Sequence, residues 1–144
     1  MIIKYKEFCN ESLKDQMKGK SDDDIKKSLS NLSDSDKIKN IIKYKLSYYL
    51  LPNNLTINGH LVCSYNQLTK LPDNLIVNGN LNCNTNKLIK LPDNLIVNGN
   101  LDCSYNQLKE LPDNLIVKGN LYCYNNQLPR STKKPIGVKG EMEL

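Results

Sequence analysis

Residues 91–110 read LPDNLIVNGNLDCSYNQLKE, and nearly the same twenty residues stand on either side: LPNNLTINGHLVCSYNQLTK at 51–70, LPDNLIVNGNLNCNTNKLIK at 71–90 and LPDNLIVKGNLYCYNNQLPR at 111–130. A unit written four times is a coil stacked on copies of itself, because one copy alone cannot bury its apolar face. Counting each coil from its Leu-Pro, positions five and seven (Leu95, Val97) and eleven and thirteen (Leu101, Cys103) are apolar, the members of each pair two residues apart. That alternation is the mark of half-buried strand and predicts two short strands per coil, stacked in parallel as two walls. Glycine at position nine (Gly59, Gly79, Gly99, Gly119) sits between the walls, where a corner requires positive φ or close backbone approach. The Pro of each Leu-Pro belongs in a turn, where its missing N–H breaks no ladder.

Asparagine fills position sixteen in every coil (Asn66, Asn86, Asn106, Asn126), two residues before Leu68, Leu88, Leu108 and Leu128. A fixed amide among apolar neighbours reads as an internal asparagine ladder, each amide bonding backbone groups of the turn and the next amide above.

The ends of such a stack need covering. Ahead of the repeats, Ser21 to Asp24 resembles a capping box, with Ile25, Leu29 and Leu32 following at helical spacing. Ser33, Asp34, Ser35 and Asp36 begin a second helix whose apolar face carries Ile38, Ile41, Ile42, Leu46, Tyr49 and Leu50, with Lys37, Lys39, Lys43 and Lys45 largely opposite. Phe8, Cys9, Leu13 and Met17 suggest a further helix upstream, stopping near Gly19. Downstream, allowing one inserted residue, Ile136, Val138, Gly140, Met142 and Leu144 repeat the apolar and glycine positions, while Lys139, Glu141 and Glu143 point outward. The expected architecture is therefore an α+β repeat solenoid. A helical N-terminal cap spans 1–50, four twenty-residue coils of parallel β solenoid span 51–130, and a degenerate fifth, capping coil spans 131–144.

Composition narrows the function. The chain of 144 residues carries a formal charge of +5, with a single arginine, Arg130, and lysines scattered among acids. Grooves that track phosphates cluster arginine with interleaved aromatics, so nucleic-acid association through Lys43, Lys45 and the stretch from Arg130 to Lys139 is the lesser alternative. A structural role in a larger assembly is another. The opening MIIKYKEFCNES has no apolar run of signal-peptide length and nothing approaches a membrane span. Of five cysteines, four (Cys63, Cys83, Cys103, Cys123) recur at position thirteen, which reads as packing and not as a disulfide framework. A reducing compartment fits, the cytoplasm or a host cytoplasm after delivery.

The run Leu101, Cys103, Asn106, Leu108 carries most of the signature L-x-x-L-x-L-x-x-N/C-x-L, and all four coils share it. In this the chain resembles leucine-rich-repeat proteins. With the Leu91-Pro92 opening and the Asn106-Gln107-Leu108 close, it is similar to the short repeats of bacterial type III-secreted leucine-rich-repeat effectors and of related phage and giant-virus proteins. The resemblance implies a helical cap at the N-terminal end and a solenoid that binds another protein. One departure stands out: the first leucine of the signature falls on Asn58, Asn78, Asn98 and Lys118, and its apolar role moves back to Ile57, Val77, Val97 and Val117. That favours a two-sheeted, more closed coil over an open horseshoe. A ligase or other catalytic domain of the kind some relatives carry after their repeats is not expected.

The residues point away from catalysis. His60 is the only histidine, which removes a histidine triad or a multi-histidine metal site within the chain. The cysteine row lies in line and does not surround a metal tetrahedrally. Asp73, Asp93 and Asp113 each follow a proline, which is ordinary turn chemistry, and the glycine-rich calcium nonapeptide is absent. No enzymatic role and no cofactor are expected. A partner should instead be met where the coils differ, on the outward positions of the Leu-x-Cys wall: His60, Val62 and Ser64; Asn80, Asn82 and Asn84; Asn100, Asp102 and Ser104; Asn120, Tyr122 and Tyr124. Tyr122 and Tyr124 are the leading hot-spot candidates, extended by Tyr65 and Tyr105. Ile76, Ile96 and Ile116 form a second, apolar outward stripe at position six. The expected function is a non-enzymatic binding module, an effector or inhibitor that occupies a surface of a host or competing protein, such as a phage- or bacterium-derived anti-host or anti-defence factor.

Overall fold

A computed structural model describes residues 54–144 together with Ser21, Asp24, Lys27, residues 30–33 and Asp36. Each coil contributes two strands of two residues. The first of each pair are β1 (Thr56–Ile57), β3 (Ile76–Val77), β5 (Ile96–Val97) and β7 (Ile116–Val117); the second are β2 (Leu61–Val62), β4 (Leu81–Asn82), β6 (Leu101–Asp102) and β8 (Leu121–Tyr122). A last strand, β9 (Met142–Glu143), follows β8. They form two parallel sheets in the orders β1-β3-β5-β7 and β2-β4-β6-β8-β9. Within the repeats the register advances by one coil length, so Leu61 pairs with Leu81, Leu81 with Leu101 and Leu101 with Leu121. At the end it advances one further, pairing Leu121 with Met142 and bridging Val117 to Val138. The inserted residue expected in the fifth coil is thus accommodated before its first inward position.

Between the sheets lies a core of like residues in rows. The leucines of positions five and eleven, the Ile or Val of seven and the thiols of thirteen are all buried, as are Leu68, Leu88 and Leu108 from position eighteen and Leu71 and Leu91 from position one. A fully buried Leu or Val is worth about 1.5–3 kcal/mol relative to exposure, so the apolar rows supply the main force that stacks the coils.

Two kinds of corner turn the chain. At position nine, Gly59 has φ 118°, while a Cβ on Gly99 would stand 2.9 Å from both the Asn80 nitrogen and the Gly79 carbonyl carbon. The first glycine supplies a left-handed backbone; the third supplies closeness. At position four, Asn54, Asn74 and Asn94 take φ of 66°, 55° and 55°, a conformation asparagine tolerates better than most residues.

The position-sixteen amides serve the backbone and not one another, which corrects the expected ladder. Asn86 Oδ1 accepts the Asn66 N–H at 3.0 Å and the Leu68 N–H at 2.9 Å, and its Nδ2 donates to the carbonyls of Cys63, Cys83 and Asn84. Asn106 and Asn126 repeat the pattern on Leu88 and Leu108. True amide ladders occur at positions four and eight: Asn114 donates to Asn94, Asn94 to Asn74 and Asn74 to Asn54, while Asn98 donates to Asn78 and Asn78 to Asn58. Buried backbone groups in a turn outcompete a neighbouring side chain for the inner amide, whereas the exposed asparagines find each other one rung away.

At the C-terminal end Val138 is buried, as the repeat pattern requires, but Ile136 is 94% exposed and Leu144 50%. Their expected inward positions are not realised. The backbone there tightens into a turn, Val138 N–H donating to the Pro135 carbonyl at 3.0 Å, and Ile136 is carried outside the wall.

Before the repeats, Ser21 and Asp24 exchange capping bonds (2.7 and 3.3 Å), as do Ser33 and Asp36 (2.7 and 3.2 Å). Asp24, Lys27 and Asp36 are helical, and Leu32 packs half-buried against the core. The helix expected around Phe8, Leu13 and Met17, the apolar face from Ile38 to Leu50, and Cys9, Lys43 and Lys45 lie outside the described residues.

Candidate partner-binding wall

The outward face of the five-stranded sheet carries positions ten, twelve and fourteen in adjacent rows, and the three rows do different work. Position ten is structural. His60 Nδ1 accepts the Asn80 N–H at 2.9 Å, Asn80 Oδ1 accepts the Asn100 N–H, Asn100 Oδ1 that of Asn120, and Asn120 Oδ1 that of Glu141. Each side chain thereby covers the corner N–H of the coil above. His60 is exposed, but its Nδ1 is committed, which puts the proton of the neutral ring on Nε2.

Position fourteen is largely withdrawn from solvent. Ser104, expected as a contact, is fully buried, because in the stack it lies between the larger residues Asn84 and Tyr124. Asn84 is half-buried, its Nδ2 donating to Asp102 Oδ2 at 2.8 Å. Asn84 Oδ1 and Ser104 Oγ are buried polar atoms with no hydrogen-bond partner. Ser104 is thus out of a partner's reach, while Asn84 stays half-open on the wall.

Position twelve faces outward along the row: Val62 (68% exposed) and, in the last strand, Glu143 are exposed, and Asn82, Asp102 and Tyr122 between them are half-buried, each in register with the next. Where the residue is polar it also bonds its own turn, Asn82 Oδ1 accepting the Asn84 N–H and Asp102 Oδ1 the Ser104 N–H. Tyr122 is half-buried, with Asn120 Nδ2 3.2 Å from its hydroxyl.

Beside these rows runs position fifteen, which the sequence pattern left as a mere extension. Tyr65, Thr85, Tyr105 and Asn125 all have left-handed backbone, with φ of 58°, 51°, 53° and 53°. Asparagine suits that conformation; tyrosine and especially β-branched threonine do not, at a cost of about 1–3 kcal/mol each. Tyr65 and Tyr105 are nonetheless 76% and 53% exposed, and Tyr105 meets Tyr124 edge to face with ring centroids 5.4 Å apart. The wall so formed spans five rungs, about 19 Å at the usual strand spacing.

The opposite sheet offers Ile76 and Ile96 half-buried and Ile116 exposed at position six. These repeat one aliphatic shape from coil to coil and so carry less information than the wall opposite.

Burial favours the neutral form of the interior thiols. Burial pushes Cys63 up to about 12 and Cys123 to about 11, and Cys83 and Cys103, more deeply buried, also stand well above the ordinary thiol range. All four are free thiols. Asp73, Asp93 and Asp113 are exposed turn residues, and the carbonyls of Asp73 and Asp93 accept the N–H of Asn54 and Asn74. Among the described residues no three or more His, Cys, Asp or Glu gather as a metal site, and no helix is long and apolar enough to cross a membrane.

No family model, curated protein or solved structure matches the chain. Geometry therefore places it: a parallel β solenoid of four regular coils, consistent with leucine-rich-repeat-like architecture and with a scaffold for binding protein.

Proposed function

We propose that this chain is a non-enzymatic protein-binding module, an effector or inhibitor that acts by occupying a surface of a host or competing protein. One observation carries the reading. Tyr65 and Tyr105 are exposed aromatic residues held in left-handed backbone, at the position where the fourth coil has Asn125. The turn gains nothing from tyrosine there, whereas an interface does, since tyrosine supplies a large rigid face with a polar tip. The likeness of the repeat to secreted and phage or giant-virus leucine-rich-repeat proteins supports a role against a host or a competitor. The scarcity of varied catalytic side chains in a row-built wall supports a role without chemistry of its own.

Photo-cross-linking tests it. A benzophenone side chain replacing Tyr65 or Tyr122 in the full chain, irradiated in extract of the natural source, is expected to give a discrete protein adduct. The same probe at Lys90, on the far corner, is expected to give none. Equal adducts at all positions, or adducts to nucleic acid alone, would refute the proposal.

A further inference from the structure

Charge is unevenly distributed over the solenoid, and the wall carries carboxylates with no basic residue among them. Positions ten, twelve and fourteen of the four coils, with their equivalents Glu141 and Glu143 in the last, hold three carboxylates (Asp102, Glu141, Glu143) and none of the chain's 20 Lys and Arg residues, although the formal charge of the whole is +5. The ammonium of Lys134 lies close by, but it donates to the Gly140 carbonyl at the corner and not to the wall.

Register makes this more than a patch of like charge. Tyr122 pairs with Asp102 on one side and Glu143 on the other, so one outward row reads carboxylate, aromatic ring, carboxylate at successive rungs about 4.8 Å apart. Asp102 is steadied by two uncharged donors, the Asn84 amide and the Ser104 N–H, which leave its negative charge uncancelled. Alongside stands the Tyr105 and Tyr124 pair. A planar cation laid on an aromatic face with a carboxylate at its edge is how guanidinium groups are held, and a compact, strongly hydrated ammonium fits the arrangement less well.

We infer that the wall recognises an extended, arginine-bearing segment of a protein partner, with guanidinium groups over Tyr122 and the Tyr105–Tyr124 pair and with Asp102 and Glu143 as their counter-charges. This rests on the binding reading above and names the chemistry of its partner. A second copy of the chain is a poor occupant, since its only arginine is Arg130. A phosphate backbone is repelled.

The experiment is a titration of the isotope-labelled full chain with an alternating glycine-arginine peptide, followed by amide chemical shifts. An alternating glycine-lysine peptide and a single-stranded oligothymidine serve as comparators. Shifts are expected around Asp102, Tyr105, Tyr122, Tyr124 and Glu143, with the lysine peptide binding more weakly and the oligonucleotide leaving the wall unperturbed. The double variant D102N/E143Q is expected to weaken the arginine peptide about tenfold at low salt, as loss of two exposed charge pairs together with their ring partner implies. D102N keeps the acceptor for the Ser104 N–H, as Asn82 does in its own coil, and a flip of the Asn84 amide turns its unpartnered Oδ1 toward the new N–H, so the fold is expected to be kept and is checked by the unperturbed amide spectrum. Y122F is expected to bind as the parent does, because it keeps the ring, and Y122A to lose binding. Undiminished binding by the double variant, equal binding of the lysine peptide, or shifts centred on the other acidic row, Asp73, Asp93 and Asp113, would overturn the inference. A wall that still cross-links to a protein while ignoring the arginine peptide would end the arginine assignment and leave the binding function standing.

Discussion

Replacing Asn86 by alanine is the sharpest test of how the coils are held. The Asn86 amide reaches two coils. Its Oδ1 takes the N–H groups of Asn66 and Leu68, and its Nδ2 donates to the carbonyls of Cys63, Cys83 and Asn84. Two of those carbonyls keep other donors in the variant: Cys83 retains the Asn106 amide, and Asn84 retains the Tyr65 N–H. The two N–H groups lose the side chain that satisfies them. An orphaned buried donor costs about 1–3 kcal/mol, so after some recovery by water the loss comes to about 3 kcal/mol. That is a large share of the 5–15 kcal/mol typical of a folded domain. Asn126, half-buried and accepting only the Leu108 N–H on its Oδ1, should cost about half as much. Asn86→Asp refines the test. It keeps an acceptor for the N–H groups but turns a second oxygen toward three carbonyl oxygens, which raises the folded carboxyl pKa above its unfolded value of about 4. A raised acid loses its stabilising contribution as pH climbs through the folded value, so Asn86→Asp should lie closer to the parent at pH 4 than at pH 7. Urea unfolding of the full-length variants measures all of this. An Asn86→Ala loss within about 0.5 kcal/mol of the parent, or an Asn86→Asp variant with no pH dependence beyond the parent's, would refute the assignment.

Three further outcomes follow from the packing. Because burial lifts all four thiols, with Cys63 near 12 and Cys123 near 11, the unfolded chain ionises first as pH rises past the ordinary thiol value of 9.0, and stability should fall there; replacing Cys83 and Cys103 by alanine should flatten that slope, and thiol labelling of the native protein at those positions should proceed only as fast as unfolding. Gly99→Ala drives a Cβ onto Asn80 and the Gly79 backbone and should lower thermal stability by about 1–3 kcal/mol, read as a drop in melting temperature. Val138→Ala should cost about 2 kcal/mol and Ile136→Ala nearly nothing, since the first is buried and the second 94% exposed; deleting Ile136 to Leu144 should lower the melting temperature or cause aggregation by uncovering β7 and β8.

Much of this fold was legible because its rules are periodic. Alternation at positions five, seven, eleven and thirteen dictated two walls, and identical copies allowed only an in-register stack. The shift of the apolar role to Val77 and Val97 foretold a two-sheeted coil. What escaped reading was local and non-periodic in kind. Position fifteen holds Tyr, Thr, Tyr and Asn, residues with no shared propensity, yet all four are left-handed because the coil must turn there. Ser104 is hidden by its neighbours in the stack, and strand alternation alone does not register the size of the residues above and below. Ile136 matched the repeat by type, but the turn closed by Pro135 carries it out of the wall. The amide ladders at positions four and eight have no mark in the sequence pattern; only stacking puts each amide one rung from its equivalent.

The division of labour among the rows bears on what such a chain is good for. Strands of two residues give each coil few ladder bonds, so side-chain amides take up the corners: position ten for one, position sixteen for the other, positions four and eight as outer ladders. Those residues are spoken for, and so are the inward apolar rows. Position twelve is different, because Val62 and Tyr122 occupy it without bonding the turn that Asn82 and Asp102 bond, and the coils around them close just the same. Position fifteen tolerates Tyr, Thr and Asn on one backbone conformation. Rows twelve and fifteen are therefore the places where substitution changes the wall without loosening the stack. A surface free to vary on a frame that holds still presents its contact groups preorganised, and a partner that meets it bears little of the ordering cost of binding. Within the coils those two rows hold Asp102, Glu143, Tyr65, Tyr105 and Tyr122, the groups from which the contact surface is built.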